Sequence, residues 1–376
     1  MTDSSPADRS RIESLDVLRG LALAGMILVN NRGDFERVFA PLAHSGWDGL
    51  TAADLVFPTF AVTMGASIPL AFGAARARGV GRAVLIRRVL RRATIMFALG
   101  LFVNAYPHLL DLGTLRIPGV LQRLALAYLG AAMLYLAAPR IPTQAIAAAI
   151  LVAIYEGILA WFPVPAFGPG IRTATGNAGA WVDRLLLSGH LLRAESDPEG
   201  LLGALPAIAT VLVGVIAGSY LRAPTDGARR ATVLVGGGVL LSAAGVALNA
   251  WIPCNKQLWS GSFVLASGGV ALALIGVLHY GVDHLGWRRW AKMLQALGAN
   301  PIAIYVLSSI TSTTLMIVPL ATASTETRSA QTVLSSWLAT YIASTEAASL
   351  VYGVAMLGVW TGVAVLLQRQ RIFIRI

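Results

Sequence analysis

Of the five histidines in this chain, His44 is the one placed to do chemistry. It lies in Pro41-Leu-Ala-His-Ser-Gly-Trp-Asp-Gly49, a run of turn formers around a tryptophan. An apolar stretch opening Leu50-Thr-Ala-Ala-Asp-Leu-Val-Phe-Pro58 follows immediately. Imidazole changes protonation near neutral pH, so a histidine in such a turn suits a general base or a nucleophile. A surface-loop role stands beside that reading. The other four, His108, His190, His279 and His284, read as loop or helix-end residues. Asp54 and Arg123 each lie about one turn inside an apolar stretch, on the same side as His44. Ionisable groups in such places are costly in lipid and are usually paired or functional. Asn30 closes the first apolar stretch on that side too. Asp16 and Arg19, spaced i, i+3 near its other end, read as an ion pair. Glu156 and Asn249 read as helix–helix contacts. Seven arginines between Arg76 and Arg92 suit anionic lipid headgroups, although a phosphate-bearing ligand would use the same residues. No phosphate-loop, dinucleotide or HExxH pattern occurs. The lone Cys254 excludes an internal disulfide.

The elements that must position these residues follow from composition. Hydrophobic residues make up 56% of the 376 and charged ones 12%, with a mean hydropathy of +0.69. Too few charges remain to cover a soluble surface. The net charge of +11 comes from short basic clusters between apolar runs, a membrane-insertion pattern rather than a nucleic-acid one. The expected fold is therefore an all-α integral membrane protein of about ten spans. These are Leu15–Asn30, Leu50–Phe72, Ala93–Leu110, Ile117–Leu136, Ile141–Phe162, Leu201–Leu221, Ala231–Trp251, Ser260–Tyr280, Leu297–Leu320 and Ala347–Leu367. Thr332–Ala343 is too short to span and reads as an interfacial or re-entrant helix. The first stretch is not expected to be a cleaved signal peptide, since Asp16 and Arg19 sit within its start. Twenty of the 29 basic residues fall on one side of this arrangement and eight on the other, which places both termini in the cytoplasm. The domain reading is a cytoplasmic arm over 1–14, one transmembrane domain over 15–367 with outer loops 31–49 and 163–200, and a basic cytoplasmic tail over 368–376.

Several strings, in order along the chain, resemble one family. They are Ser14-Leu-Asp-Val-Leu-Arg-Gly20 with Val29-Asn30, His44-Ser-Gly-Trp-Asp-Gly49, and Asp54-Leu-Val-Phe-Pro58. Arg116-Ile-Pro-Gly-Val-Leu-Gln-Arg123, Asp197-Pro-Glu-Gly200, Asn255-Lys-Gln-Leu-Trp259 and Gly298-Ala-Asn-Pro301 complete the set. Together they resemble the heparan-alpha-glucosaminide N-acetyltransferase family and its bacterial relatives, the NagX/YeiB-like transmembrane acyltransferases. The resemblance runs from about Leu15 to Leu367. It implies that acetyl-CoA supplied from the cytoplasm acetylates the amine of a glucosamine-type amino sugar or oligosaccharide at the periplasmic face of a bacterial inner membrane. It places the family's active histidine on His44 and its asparagine on Asn30. Asp54 would orient the imidazole or bind the substrate amine. Arg116, Gln122, Arg123, Lys256, Trp259 and, from the inner side, Arg19 become the candidates for contacts to CoA, with some of Arg87–Arg92 beside them. Membrane lipids are the other expected partners, and a homodimer is an allowed assembly; neither a metal nor nucleic acid is expected. The competing readings are a proton-coupled amino-sugar transporter, or an acyltransferase for another polysaccharide or lipid acceptor. No internal repeat between the two halves supports the transporter.

The orientation is open to direct measurement. With Cys254 replaced, cysteines introduced at Ala40 and Gly176 should react with an impermeant maleimide in intact cells, whereas one at Gly79 should react only after lysis. Labelling of Gly79 in intact cells would overturn the topology.

Overall fold

A computed structural model describes residues 12–34, 36–321 and 327–374. The expected N-terminal arm lies almost wholly outside the described residues, as does the tip of the tail. The helices, in order, are α1 (Glu13–Asn30), α2 (Ala52–Ala77), α3 (Arg82–Ala105), α4 (Val120–Ala137), α5 (Ile141–Trp161), α6 (Ala178–Leu187), α7 (Ala204–Leu221), α8 (Gly227–Leu248), α9 (Gly261–Leu278), α10 (Lys292–Ala299), α11 (Pro301–Ile317), α12 (Ala330–Ala339) and α13 (Thr345–Arg369). Among the described residues the one sheet is a short antiparallel hairpin, β1 (Pro319–Ala321) with β2 (Thr327–Ser329). Each of the ten expected stretches falls on a helix. Seven helices are long and apolar enough to cross a membrane, or eight if the bent pair α10–α11 forms one span. Outside that set are α1, with Glu13, Asp16 and Arg19 near its start, and α3, whose first half carries five arginines. The protein is thus an all-α, multi-pass membrane protein. The stretch expected to lie at the interface forms α12, whose ten residues reach about 15 Å, half of a hydrocarbon core of about 30 Å.

Two features depart from a simple hydropathy reading. The expected span Leu297–Leu320 is broken, with α10 and α11 meeting at 83°. Asn300 precedes Pro301, and proline both lacks an N–H and disfavours helical geometry in the residue before it. Asn300 adopts φ −129°, ψ 48°, is wholly buried, and turns its amide to the tail. Its Nδ2 donates to the Ile372 carbonyl at 2.9 Å, and its Oδ1 accepts from the Ile374 N–H at 2.7 Å. The Gly298-Ala-Asn-Pro301 motif therefore makes a corner that pins the chain's C-terminal segment. The second departure is α6, a helix inside what reads as a Gly/Pro-rich outer loop.

Hydrogen bonds sort the loops to two ends of the bundle. At one end Gly33 meets Ser349, Trp47 meets Arg172 and Ile117 meets His190. At the other, the N-terminal N–H groups of α1 meet Asp283, and Glu13 pairs with Arg288. The core between them is built on α2, α4, α7 and α9, with Phe57, Phe60, Met64, Leu124, Tyr128, Leu212, Trp259 and Phe263 buried together. Without a hydrophobic drive between helices in lipid, close backbone approach supplies much of the packing. The α2–α7 crossing shows this: a Cβ on Gly65 would stand 2.0 Å from the Val211 carbonyl oxygen, and one on Gly214 would stand 1.9 Å from that of Val62.

Gly214→Leu should therefore abolish a monodisperse peak in detergent size-exclusion chromatography. Gly236→Leu, at a helix position open on all sides, should leave the peak and the melting temperature close to wild type. Equal behaviour of the two variants would show that the α2–α7 approach does not hold the bundle together.

Candidate active site

The site grows from the start of α2. Thr51 is the N-cap and Asp54 the N3 residue, so the carboxylate reaches back over the first turn. Asp54 Oδ2 accepts from the Thr51 N–H at 3.1 Å, the Thr51 hydroxyl at 3.0 Å and the Ser45 N–H at 3.2 Å. Asp54 Oδ1 faces His44 Nδ1 at 2.8 Å and Lys256 Nζ at 3.4 Å. The Lys256 ammonium also lies 3.0 Å from Nδ1 and 3.4 Å from Nε2 of the imidazole. The aspartate side chain is fully buried, while 40% of the histidine side chain is exposed. This is a fixed carboxylate holding an accessible imidazole, with an ammonium alongside.

Lys256 reaches His44 across 212 residues because two loops are tied together. The Gly49 N–H donates to the Cys254 carbonyl at 2.7 Å, Asn255 Nδ2 to Asp48 Oδ1 at 3.1 Å, and Gln257 Nε2 to the Gly46 carbonyl at 3.2 Å. Burial pushes the Lys256 amine below its ordinary range, and the neighbouring Asp54 charge opposes that shift. Arg32, two residues past α1, is buried with its Nε on the Val29 carbonyl at 2.7 Å. Burial lowers the Arg32 pKa against the pull of Asp54. Arg32 had no signal in the sequence beyond its place next to Asn30. Asn30 itself lies in the last turn of α1 with an exposed side chain, and no hydrogen bond among the described residues ties it to His44.

The remaining expected residues fall into three places. Arg116 offers its guanidinium to Asp197 (2.8 and 2.7 Å) and Glu199 (2.6 Å). Burial draws the Arg116 pKa down, but these partners more than offset it. Arg123 is buried over the Trp259 ring at 5.2 Å; its Nη2 donates to the Gly200 carbonyl at 3.1 Å, while Nε and Nη1 are buried without a partner. Trp259 is itself core, wedged edge-on between Phe57 and Phe263 with its indole N–H on Thr210. Gln122 is buried beside Gly100 and Gly119. Arg19 is at the opposite end, bonded to Asp16 (2.9 Å) and Ser67 (2.7 Å) on the wall of a cavity of about 440 Å³. Next to it a larger cavity of about 1000 Å³ is lined by Arg222, Arg230, Arg288, His279, His284 and Asp283. Sequence proximity groups only His279, Asp283, His284 and Arg288; Arg222 and Arg230 join them through the fold. In the structure the buried Nε of Arg230 and Nε2 of His279 lack partners.

An almost wholly helical chain with seven or eight apolar helices long enough to cross a membrane defines a class, the multi-pass membrane proteins. Comparison with known proteins gives the family. The family model described as heparan-alpha-glucosaminide N-acetyltransferase, catalytic, matches residues 11–233. The chain belongs to the heparan-alpha-glucosaminide N-acetyltransferase family. It is 32% identical to the heparan-alpha-glucosaminide N-acetyltransferase of Homo sapiens, over 79% of this chain and 52% of that protein. Identity to the protein of the same name in Mus musculus is 30%, over 79% and 53%. The chain spans about half the length of the curated relatives it matches. The family match includes Asn30, His44, Asp54, Arg116 and Arg123, and stops short of Lys256.

One electrostatic consequence lies beside the site. Asp183 on α6 is buried, accepts the Leu201 N–H at 2.8 Å, and is pushed by that burial up to about 6. A carboxyl whose folded pKa exceeds its unfolded value adds stability that is full below about pH 4 and is lost as pH rises through about 6. Asp183→Asn keeps the acceptor and removes the titration. Wild type should lose melting temperature relative to this variant between about pH 4 and 6, the window set by those two values. Parallel curves would contradict the shift.

Proposed function

We propose that this protein is a transmembrane acetyltransferase. It takes the acetyl group of acetyl-CoA arriving at the arginine-lined end and transfers it to the amine of a glucosamine-type sugar at the His44 end. In this reading the membrane is a bacterial inner membrane, the arginine-lined end faces the cytoplasm and His44 faces the periplasm. The observation that carries the reading is the His44–Asp54–Lys256 cluster. With Nδ1–H donated to Asp54, the imidazole presents Nε2 as a proton acceptor in a fixed orientation. The free-base amine attacks the thioester carbon and gives a proton to Nε2 as the C–N bond forms. Collapse of the tetrahedral intermediate breaks the C–S bond, and the imidazolium returns that proton to the departing thiolate. The negative oxygen formed in between needs a donor. Lys256 is already beside the ring, and the exposed Asn30 amide is the family candidate for the same task. Lys256 thus moves from a contact to CoA to the reacting centre.

The inner cavities suit the rest of the co-substrate. Phosphates require cations, and Arg222, Arg230 and Arg288 surround the larger cavity, with Arg19 on the smaller. The unpartnered Arg230 Nε–H is a donor awaiting an acceptor. Arg116, by contrast, is engaged by two carboxylates and supports the outer loops.

With labelled acetyl-CoA and an amino-sugar acceptor, folded His44→Ala should lose transfer by about 10²–10⁴-fold while still binding CoA. Asn30→Ala should lose about 10²–10³-fold if its amide meets the oxyanion. Arg230→Ala should raise KM for acetyl-CoA and leave the acceptor KM unchanged. A burst of CoA without acceptor would indicate an acetyl-His44 intermediate; direct transfer gives none. Near-normal turnover by folded His44→Ala would end the proposal.

A further inference from the structure

One flank of the His44 end is inside out. Leu110 is 96% exposed and Leu185 64%, with Leu109, Leu112, Leu186 and Leu192 also turned outward, while Asp183 is 2% exposed. The leucines belong to two segments that lie together. The Ile117 N–H donates to the His190 carbonyl at 2.9 Å, and His190 Nδ1 lies 2.8 Å from the Leu115 carbonyl. On α6 the inward face holds Ala180 and Asp183 while Leu185 and Leu186 point away. An element facing water would have these faces reversed. A large exposed apolar patch marks contact with another apolar phase.

The length of α3 indicates which phase. Its last arginine is Arg92, and the thirteen residues from Ala93 to Ala105 rise only about 20 Å, against a hydrocarbon core of about 30 Å. The helix leaves the core uncrossed unless the segment after it, 106–112, continues through apolar surroundings. That segment carries Leu109, Leu110 and Leu112.

We propose that this flank, the leucine loop 107–112 together with the outward face of α6, is immersed among the lipid acyl chains of the leaflet at the His44 end. The outer lobe then sits in the membrane surface rather than above it, continuous with the lipid-facing belt of the helices. Acceptors reach His44 at headgroup level. A second copy of the chain covering the same leucines would leave the α3 shortfall unexplained.

Spin labels test this on the intact protein in phosphatidylcholine nanodiscs. The native Cys254 is buried, its thiol pushed up by that burial to about 11, and it is replaced by alanine in all variants. Labels at Leu110→Cys and Leu185→Cys should collide with oxygen and lose collisions with a water-soluble nickel chelate. A label at Glu195→Cys, an exposed polar site in the same lobe, should do the reverse. Leu112→Cys and Leu186→Cys repeat the test should either first variant fail to give a monodisperse peak. Chelate accessibility at the leucine sites equal to that at Glu195→Cys would overturn the proposal. So would dipolar broadening that disappears on dilution with unlabelled protein, since a second copy would then be the cover.

Discussion

A carboxylate with no exposure to water is the constraint around which the His44 end is arranged. An unpaired buried charge costs several kcal/mol, so Asp54 is tolerable only while its oxygens are occupied. Two backbone N–H groups, one hydroxyl, one imidazole and one ammonium occupy them. Each donor comes from a separately positioned piece of chain. Thr51 belongs to the helix start, Ser45 and His44 to the preceding turn, and Lys256 to a loop two hundred residues later. Satisfying one carboxylate therefore fixes the path of the 44–51 turn and the docking of the 254–258 loop. The same bonds that stabilise the fold there set the orientation of the imidazole. The orientation of the imidazole and local stability rest on one group.

The opposite end is built the other way. Charges there line open cavities even where they pair, as Glu13 does with Arg288 and His279 with Asp283, and the buried Arg230 Nε and His279 Nε2 are left without partners. In the proposed function the closed ion cluster positions the reacting imidazole and the open cavity receives the co-substrate. Helices α1 and α2 connect the two: α1 starts beside the cavity, capped by Asp283, and ends beside Arg32. α2 runs from Asp54 to the cavity wall at Ala74 and Ala77. Arg19, Ser67 and Thr63 form a polar ladder along their contact.

Hydropathy made the helices legible, since every apolar stretch but Leu297–Leu320 fell on a single helix. Local chemistry made His44 and Asp54 legible, because a histidine in a run of turn formers lies within a dozen residues of a carboxylate just inside the next apolar stretch. What escaped was long-range or averaged away. A hydropathy window runs smoothly across Asn300-Pro301 and hides an 83° bend. The inverted amphipathicity of α6 resembles an ordinary loop when read for turn formers. Lys256 read as a contact to CoA because nothing local to residue 256 announces an imidazole beside it. Trp259 and Gln122, which share motifs with site residues, are buried in the packing, and only coordinates separate a motif's structural positions from its reactive ones.

The central claim is that one chain couples a co-substrate at one membrane face to an acceptor at the other. Reconstituted liposomes of uniform orientation, with the arginine-lined end outward and an amino sugar sealed inside, test it directly when labelled acetyl-CoA is added outside. The account predicts N-acetylated sugar in the lumen and CoA outside, with no sugar leaving. Unmodified sugar crossing the membrane, or product formed only when both substrates share one side, would contradict it.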